Sequence, residues 1–331
     1  MHDVMPRPTA VRFGLAAALI LSALYWVGVL WSPVTSVIPA IVFLYAFLGL
    51  RRGNRWCGYG SAAFLISITL AMVAGELRVE GPSALPAGMV VLAILGGLFA
   101  LLLFRAGRAL PAQPVGASRT AWLTLSAAAL LFLFTFKAFI LPTASMQNTM
   151  FLGDSFFVRI AGPLTPARGD IVAFHYPPDP KQMFIKRVVA IGGDRVRFHD
   201  KTLILNGIPQ PEPFAMHGTD YVDSFRDNFP TAEGRDFPSP QWISELPSHV
   251  VDGDLLVPAG KYFVLGDNRD DSLDSRYWGF VDKSAIIGKP AFCYFSANVP
   301  ESSASTPQQL STPILFVPGR IRWNRVFTLI R

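Results

Sequence analysis

Residues 121–150, AWLTLSAAALLFLFTFKAFI followed by LPTASMQNTM, decide how this chain is divided. The first part is almost wholly apolar, whereas the second part is mostly small or polar and is centred on Ser145. An exit loop at the end of a membrane span has the same composition, so the stretch by itself predicts no activity for that serine. It does predict a change of environment near residue 140, with a different kind of structure on each side.

Composition separates the two sides. The chain of 331 residues is 51% hydrophobic and 16% charged, and soluble domains usually contain about 25% charged residues. Residues 1–140 contain ten basic and three acidic side chains, a net charge of +7, whereas residues 141–331 carry a net charge of −1. A basic chain often indicates nucleic-acid binding. Here the basic residues separate apolar segments, so we predict no nucleic-acid partner.

The first 140 residues predict a membrane domain of about five transmembrane helices. A helix needs ~20 apolar residues to cross a bilayer. Apolar segments of comparable length occur at 12–31, 34–50, 58–75, 85–104 and 121–140. The first segment is longer than the core of a cleavable signal peptide and lacks a small-residue exit, so we predict that it is retained.

The loops between these segments predict an orientation. The N-terminus and the second and fourth loops (51–55 and 105–120) carry arginines, whereas the first loop (32–36) is uncharged and the third (76–84) is acidic overall. Basic loops stay on the cytoplasmic side. The N-terminus is therefore predicted to be cytoplasmic, and residue 141 is predicted to lie outside the membrane. The lipid bilayer is the first predicted partner of the chain.

Residues 141–331 predict a mostly antiparallel β domain. Short apolar runs with turn signals between them are typical of strands. They occur at 156–160, 170–176, 183–191, 195–199, 202–207, 261–267 and 291–296. Residues 208–258 are rich in Pro, Asp, Ser and aromatic residues, and predict a smaller inserted subdomain. The basic, aromatic stretch 316–331 fits either a final strand or a segment on a lipid surface.

Metal and cofactor chemistry is not indicated. The five histidines fall in no spacing typical of metal ligands, and no glycine-rich phosphate loop is present, so we predict no cofactor and no metal. Cys57 and Cys293 are predicted to lie on opposite sides of a membrane and so not to pair. Ser145 lacks a G-x-S-x-G elbow, and His175 fits the end of a strand at least as well as a general base.

Lys186 is unusual because it lies inside the apolar run MFIKRVVAI, 183–191. Phe184 and Val188 share its face in a strand. Burial of that face destabilises an ammonium and can lower its pKa by 3–5 units, which allows a lysine to accept a proton from a serine hydroxyl. The alternative is that Lys186 points outward or extends its amine to water. Its neighbour Arg187 is predicted to face the other way and to stay charged.

A third polar element, VLGDNRDDSLDSRYWGFV, spans residues 264–281. It is either a solvated loop or a hydrogen-bonded scaffold that fixes the side chains of a site.

Together these elements resemble the type I signal peptidase (leader peptidase) family, the membrane-bound Ser-Lys proteases that remove signal peptides from exported proteins. The similar segments occur in the family's order: PTASM (142–146), GDSFFVRI (153–160), RGDIVAF (168–174), FIKRVVAIGGD (184–194) and GDNRDDSLDSRYWGFV (266–281), with RIRWNRVFTLI near the end. The resemblance implies a β catalytic core with a smaller inserted β subdomain.

The resemblance also implies roles for individual residues. Ser145 would be the nucleophile and Lys186 the general base. Thr143 would share the oxyanion hole with the backbone N–H of Ser145. Ser272 would orient the lysine amine. Two further contributions are implied: an ion pair of Asp274 with Arg276 would support the site, and Met146 would shape its floor.

Two features depart from the family pattern. Asn148 in SMQNTM stands where the family usually has proline, and five spans exceed its usual one or two. The implied function is cleavage of secretory preproteins with small-x-small sites at the outer face of the bacterial cytoplasmic (inner) membrane. A Ser-Lys protease for another membrane substrate and a non-catalytic, membrane-anchored β binding module are the alternatives.

Overall fold

The computed structural model describes residues 8–28, 33–80, 87–111, 117–230, 239–299 and 320–330. They form two compact units, which divide between Lys137 and Ala138. Several predicted features lie partly outside the described residues. These parts are Arg7, residues 29–31 of the first predicted span, residues 81–84 of the third loop, residues 112–116 of the fourth loop, residues 231–238 of the predicted insertion, and residues 316–319 and 331.

The first unit contains five long helices. They are α1 (Thr9–Gly28), α2 (Pro33–Arg51), α3 (Arg55–Glu80), α4 (Ala87–Arg108) and α5 (Ala117–Thr135). The turn between α2 and α3 contains Gly53 with φ +83°, a backbone conformation that glycine adopts without steric cost. Asn54 then accepts a hydrogen bond from Trp56 N, 3.0 Å away, and so caps the start of α3.

Small residues line the helix contacts of this unit. A Cβ atom at Gly58 would lie 2.6 Å from Gly107 N, and one at Gly60 would lie 2.0 Å from the Trp122 ring. Large apolar side chains such as Leu92, Ile94 and Leu131 are instead at least 60% exposed. The unit therefore packs through small residues and directs many of its large apolar side chains outward.

One helical stretch, Val90–Arg108 with a mean hydropathy of 2.3, is long and apolar enough to cross a bilayer. The other apolar helical stretches are shorter: Thr9–Tyr25, Ile38–Arg51 and Arg119–Thr135. This result concerns the described part of the chain only. The arrangement of about five spans therefore stays a prediction.

The second unit is built from antiparallel strands, as predicted. Its larger sheet has eight strands: β1 (Phe136–Ile140), β2 (Asp154–Arg159), β3 (Ile171–His175), β4 (Met183–Ile191), β10 (Lys261–Leu265), β11 (Val281–Asp282), β12 (Ile286–Ser296) and β13 (Thr328–Leu329). Their order is β1-β2-β12-β3-β4-β10-β11, and β13 pairs with β12. Strand β4 thus lies between β3 and β10, with Lys186 opposite Val172 and Arg187 opposite Leu265.

The second sheet has five strands in the order β7-β6-β5-β9-β8. They are β5 (Arg195–His199), β6 (Thr202–Leu205), β7 (Ile208–Pro209), β8 (Val250–Val251) and β9 (Asp254–Leu256). This sheet begins before residue 208, where the predicted insertion starts. A buried apolar cluster that includes Phe198, Leu255 and Phe263 connects it to the larger sheet.

The apolar segment 121–140 was predicted to be one span, and this is wrong for its last five residues. Helix α5 ends at Thr135, and Phe136–Ile140 form strand β1 beside β2. The physical reason is pairing: Leu141 N donates to Asp154 O at 2.8 Å, and Phe139 stacks on Phe156 with ring centroids 6.2 Å apart. Backbone partners in the sheet outweigh the helical pattern.

Candidate active site

Ser145 lies on an irregular loop between β1 and β2, which we call the nucleophile loop (Thr143–Gly153). Short-range bonds shape the loop, because Gln147 N donates to Ala144 O at 2.9 Å and Met150 N donates to Met146 O at 2.8 Å. Ser145 is 8% exposed, and Met146 beneath it is fully buried. The loop therefore holds its serine at the edge of the β core, with only a small opening to solvent.

Lys186 projects from β4 toward this serine. Its Nζ lies 2.6 Å from Ser145 Oγ and 5.7 Å from the centroid of the Phe184 ring. The lysine is 3% exposed. Its amine is therefore buried against an aromatic face and in hydrogen-bond contact with one hydroxyl.

Burial lowers the pKa of Lys186 from 10.5 to about 8. The Asp274 carboxylate opposes this change, whereas the Arg276 guanidinium adds to it. Desolvation disfavours the charged form of an amine, and here its effect is the largest. About one tenth of Lys186 is therefore neutral at pH 7, and a neutral amine at this distance can accept the serine proton.

Thr143 is the next polar group around Ser145. The Oγ atoms of Thr143 and Ser145 are 3.1 Å apart, and either hydroxyl can donate. A hydroxyl at this position can donate to an oxygen that develops negative charge beside Ser145 Oγ.

The segment Gly266–Gly279, which we call the polar loop, lies against the nucleophile loop. Asn268 N donates to Ser145 O at 3.1 Å, and Asn268 Nδ2 donates to Ala144 O at 3.3 Å. A Cβ atom at Gly266 would lie 2.2 Å from Ser272 Oγ and 2.4 Å from Ser145 O. Only glycine allows the two loops to approach this closely.

Asp274 and Arg276 form a buried ion pair within the polar loop. Arg276 Nε and Nη2 donate to the two carboxylate oxygens at 2.9 and 2.8 Å, and Gly266 N donates to Asp274 Oδ2 at 3.2 Å. Burial raises the pKa of Asp274, but the charge and hydrogen bonds of Arg276, together with the Lys186 charge, outweigh burial and hold that pKa below its ordinary value. The pair therefore stays ionised and fixes the loop from within. Asp274 also caps the short helix Ser275–Trp278.

Ser272 is brought to the site but makes no contact with the lysine amine that satisfies hydrogen-bond geometry. Its hydroxyl is buried without a hydrogen-bond partner in the structure, although it is close enough to help lower the pKa of Asp274. A buried hydroxyl without a partner costs free energy. The orientation of Lys186 by Ser272 therefore stays a prediction.

Arg187 was predicted to lie on the opposite face from Lys186, but the sequence does not identify its partner. Arg187 Nε and Nη2 donate to the two oxygens of Asp267 at 2.8 and 2.7 Å. Thr149 Oγ1 donates to the same carboxylate at 2.6 Å. This pair ties strand β4 to both loops. The dense charges of the polar loop were the only signal for it, because nothing in the sequence assigns Asp267 to Arg187.

Asn148, where the family pattern has proline, has φ +89°. Its Nδ2 donates to Phe214 O at 3.0 Å. Asparagine is enriched among residues with positive φ, whereas the proline ring fixes φ near −65°. The departure from the family pattern therefore matches the conformation of this turn.

Replacing Asn148 by proline is expected to lower the melting temperature of the purified protein. The native φ is incompatible with the proline ring, so the loss of folding free energy should exceed about 1 kcal/mol. Asn148→Gly is the matched control, since glycine adopts the same φ and loses only the side-chain hydrogen bond. A proline variant that melts at the wild-type temperature would contradict this account of the turn.

Metal ligands are not gathered at this site or elsewhere in the part of the chain that the structure covers, where no group of three or more His, Cys, Asp or Glu side chains suits a metal ion. Cys57 and Cys293 are buried, and neither forms a disulfide within the described part of the chain.

Comparisons with known proteins agree on one family. The family model described as "Signal peptidase, peptidase S26" matches residues 117–295. Signal peptidase I of Aquifex aeolicus is 32% identical over 207 residues, which cover 52% of this chain and 80% of that protein. Signal peptidase IB of Staphylococcus aureus is 31% identical over 186 residues, with coverages of 53% and 88%. A solved structure of a signal peptidase I from Enterococcus faecalis V583 is 31% identical, covers 39% of this chain and 98% of its own, and has a TM-score of 0.29.

Proposed function

Since the chain belongs to the signal peptidase family, peptidase S26, and is therefore a serine peptidase, we propose that it removes signal peptides from exported preproteins with a Ser145–Lys186 dyad. The observation that carries the proposal is the distance of 2.6 Å between Lys186 Nζ and Ser145 Oγ. Both residues are buried, and burial keeps a fraction of the lysine neutral. A nucleophile and a base in direct contact form the minimum unit for acyl transfer.

The reaction proceeds through an acyl-enzyme. Ser145 Oγ attacks the carbonyl carbon of the scissile peptide bond, and Lys186 Nζ takes the hydroxyl proton. The resulting ammonium gives that proton to the leaving amine as the C–N bond breaks. Water then attacks the ester carbonyl while Lys186 accepts a proton from it. The acyl C–O bond to Ser145 breaks, Lys186 returns the proton to Ser145 Oγ, and the cleaved segment leaves with a C-terminal carboxylate.

The surrounding groups stabilise the charge that develops. Ser145 N–H and the Thr143 hydroxyl donate to the tetrahedral oxyanion, and in other serine proteases the loss of one such donor costs about 10²–10³ in rate. Asp274 and Arg276 hold the polar loop, Met146 forms the floor beneath Ser145, and the Ser272 hydroxyl orients the lysine amine.

The substrate binds as an added strand beside β4. Strand β10 pairs with β4 only from Arg187 onward, so in the described part of the chain Met183–Lys186 have neighbours on the β3 side alone. An extended peptide placed along this half-edge would use backbone hydrogen bonds for affinity and shallow pockets for its small side chains. Shallow pockets for alternate side chains would admit only small ones, and so would select small-x-small segments next to Lys186.

The helical unit anchors the enzyme in the bacterial cytoplasmic membrane. Small residues at helix contacts and large apolar side chains directed outward, described above, are typical of helices packed in lipid. The alternation of basic and non-basic loops puts the N-terminus in the cytoplasm and the β unit outside. Signal peptides end at that outer surface, where Ser145 would meet them.

The decisive experiment incubates the purified full-length protein in detergent micelles with an exported precursor, and maps the new N-terminus. Cleavage after a small-x-small segment is expected, and Ser145→Ala should produce none. Cleavage by the Ser145→Ala variant would exclude the dyad. Cleavage of a membrane protein at other sites, with exported precursors left intact, would instead favour a specialised substrate.

The cleavage rate is expected to rise with pH. Only neutral Lys186 accepts the serine proton, and its pKa is about 8. Below that value kcat/KM should increase roughly tenfold per pH unit, and above it the rate should level off. Rates measured from pH 6 to 9.5 on one precursor test this, and a flat profile would contradict a lysine base.

A further inference from the structure

Residues Arg320–Ile330, which we call the C-terminal segment, lie beside the nucleophile loop. Backbone bonds hold the segment to the end of β12, since Arg322 N donates to Ser296 O at 3.0 Å and Asn298 N donates to Arg320 O at 2.7 Å. Strand β13 adds further pairing with β12 at Phe292 and Cys293. The segment is therefore fixed to the sheet independently of the nucleophile loop.

Two arginines of the C-terminal segment contact Asp154, the first residue of β2. Asp154 is fully buried. Arg325 Nη2 donates to Asp154 Oδ2 at 2.6 Å and Arg325 Nε to Oδ1 at 3.1 Å. Arg322 Nη1 lies 3.5 Å from Asp154 Oδ1 and donates to Ser296 Oγ at 3.1 Å. The two guanidinium groups therefore surround one buried carboxylate.

The same arginines also bind the nucleophile loop directly. Arg325 Nη2 donates to Thr149 O at 3.1 Å, and Arg322 Nη2 donates to Leu152 O at 2.8 Å. The Arg325 guanidinium lies 4.3 Å from the centroid of the Phe151 ring, and Phe151 N donates to Asp154 Oδ2 at 2.9 Å. The second half of the loop is thus held at Thr149, Phe151 and Leu152.

We propose that Arg325, assisted by Arg322, is a positioning residue for Ser145, an inference that rests on the proposed function. The nucleophile loop is not paired as a strand between Ser145 and Asp154, so its path depends on these contacts. The polar loop fixes the Ser145 end, and the arginines fix the other end. Together they keep Ser145 Oγ within reach of Lys186 Nζ, where a displacement of about 1 Å can cost about 10²-fold in rate.

The test compares Arg325→Met, Arg325→Lys and Arg320→Met in the full-length protein, with a peptide carrying Ala-x-Ala before the cut as the substrate. Arg320 is exposed in the same segment and serves as the control. Arg325→Met should lower kcat by roughly 10–100-fold with KM changed less than about threefold. Arg325→Lys keeps a charge beside Asp154 but loses the forked geometry, so it should restore the melting temperature more than kcat. Arg320→Met should match the wild type in both.

A structural role alone would not move the pH profile. If Ser145 and its loop shift, water reaches the Lys186 ammonium, and the midpoint of the pH–rate profile should rise above that of the wild type. Wild-type kcat in both Arg325 variants would overturn the proposal, as would a kcat in Arg325→Lys that recovers fully with stability. If Arg325→Met does not fold, the kcat of Arg325→Lys compared with that of the wild type tests the proposal. Activity in Ser145→Ala would instead overturn the proposed function.

Discussion

Replacing Lys186 by methionine is expected to reduce cleavage by roughly 10²–10⁴-fold, the contribution typical of a positioned base. Methionine has a similar length and apolar character but accepts no proton. Ser145 Oγ would then keep its hydrogen and lose its contact at 2.6 Å. The measurement is kcat/KM on an exported precursor at pH 8. Lys181→Met, an exposed lysine just before the same strand, is the control and should retain wild-type activity.

The same variant should be at least as stable as the wild type. A pKa of about 8 in the folded protein, against 10.5 as the ordinary value, means that burial costs the fold about 3 kcal/mol at pH 7. Between pH 8 and 10.5 the unfolded chain keeps a proton that the folded protein has lost, so wild-type stability rises with pH. The methionine variant should lack that rise. An inactive variant that also melts well below the wild type would leave misfolding as the cause and contradict this account.

Replacing Asp274 by asparagine is expected to destabilise the β unit by about 3–5 kcal/mol, the usual cost of leaving one charge of a buried ion pair without its partner. Side chains of Asp274 and Arg276 are 0% and 1% exposed, so water cannot replace the lost carboxylate. The measurement is the melting temperature of the purified protein. Asp282→Asn is the control, because the Lys261–Asp282 pair is 37% and 59% exposed and such pairs contribute about 0–1 kcal/mol.

If Asp274→Asn still folds, its pH profile provides a second result. The Asp274 charge raises the pKa of Lys186, so its removal should move the rise in activity to lower pH. Arg276 acts in the opposite direction, and Arg276→Met should move the rise to higher pH. Equal midpoints in the two variants would mean that neither charge acts on the lysine.

The sequence predicted the β unit well because its strands are short, apolar and separated by Gly, Pro and Asp turns. The seven predicted strands all lie on observed strands. The alternation of side chains along β4 placed Lys186 on one face with Phe184 and Val188, but it left open whether that face is buried. Order along the chain does not reveal which strands become neighbours. For this reason Phe136–Ile140 was assigned to a membrane span, although pairing with β2 makes it a strand.

The candidate site was less predictable where two distant segments meet. Ser145, Lys186 and the polar loop were named from local patterns and a family resemblance. The pairs of Arg187 with Asp267 and of Arg325 with Asp154 join residues from remote parts of the chain. From the sequence, an arginine in a strand or a terminal segment looks like a surface charge. Only the folded structure shows that it is paired with a buried carboxylate. Asn148 looked anomalous for the same reason, because its φ is a property of the folded turn.

The two members of the proposed dyad are held in different ways. Lys186 is paired with β3 and directly precedes the part of β4 that is paired on both edges, whereas Ser145 belongs to a loop held mainly by side chains. Local opening of the loop breaks few bonds, but movement of the lysine requires the central sheet to open. Substitutions that adjust this enzyme to new precursors should therefore accumulate around the loop. The lysine and its strand would stay as a fixed reference point.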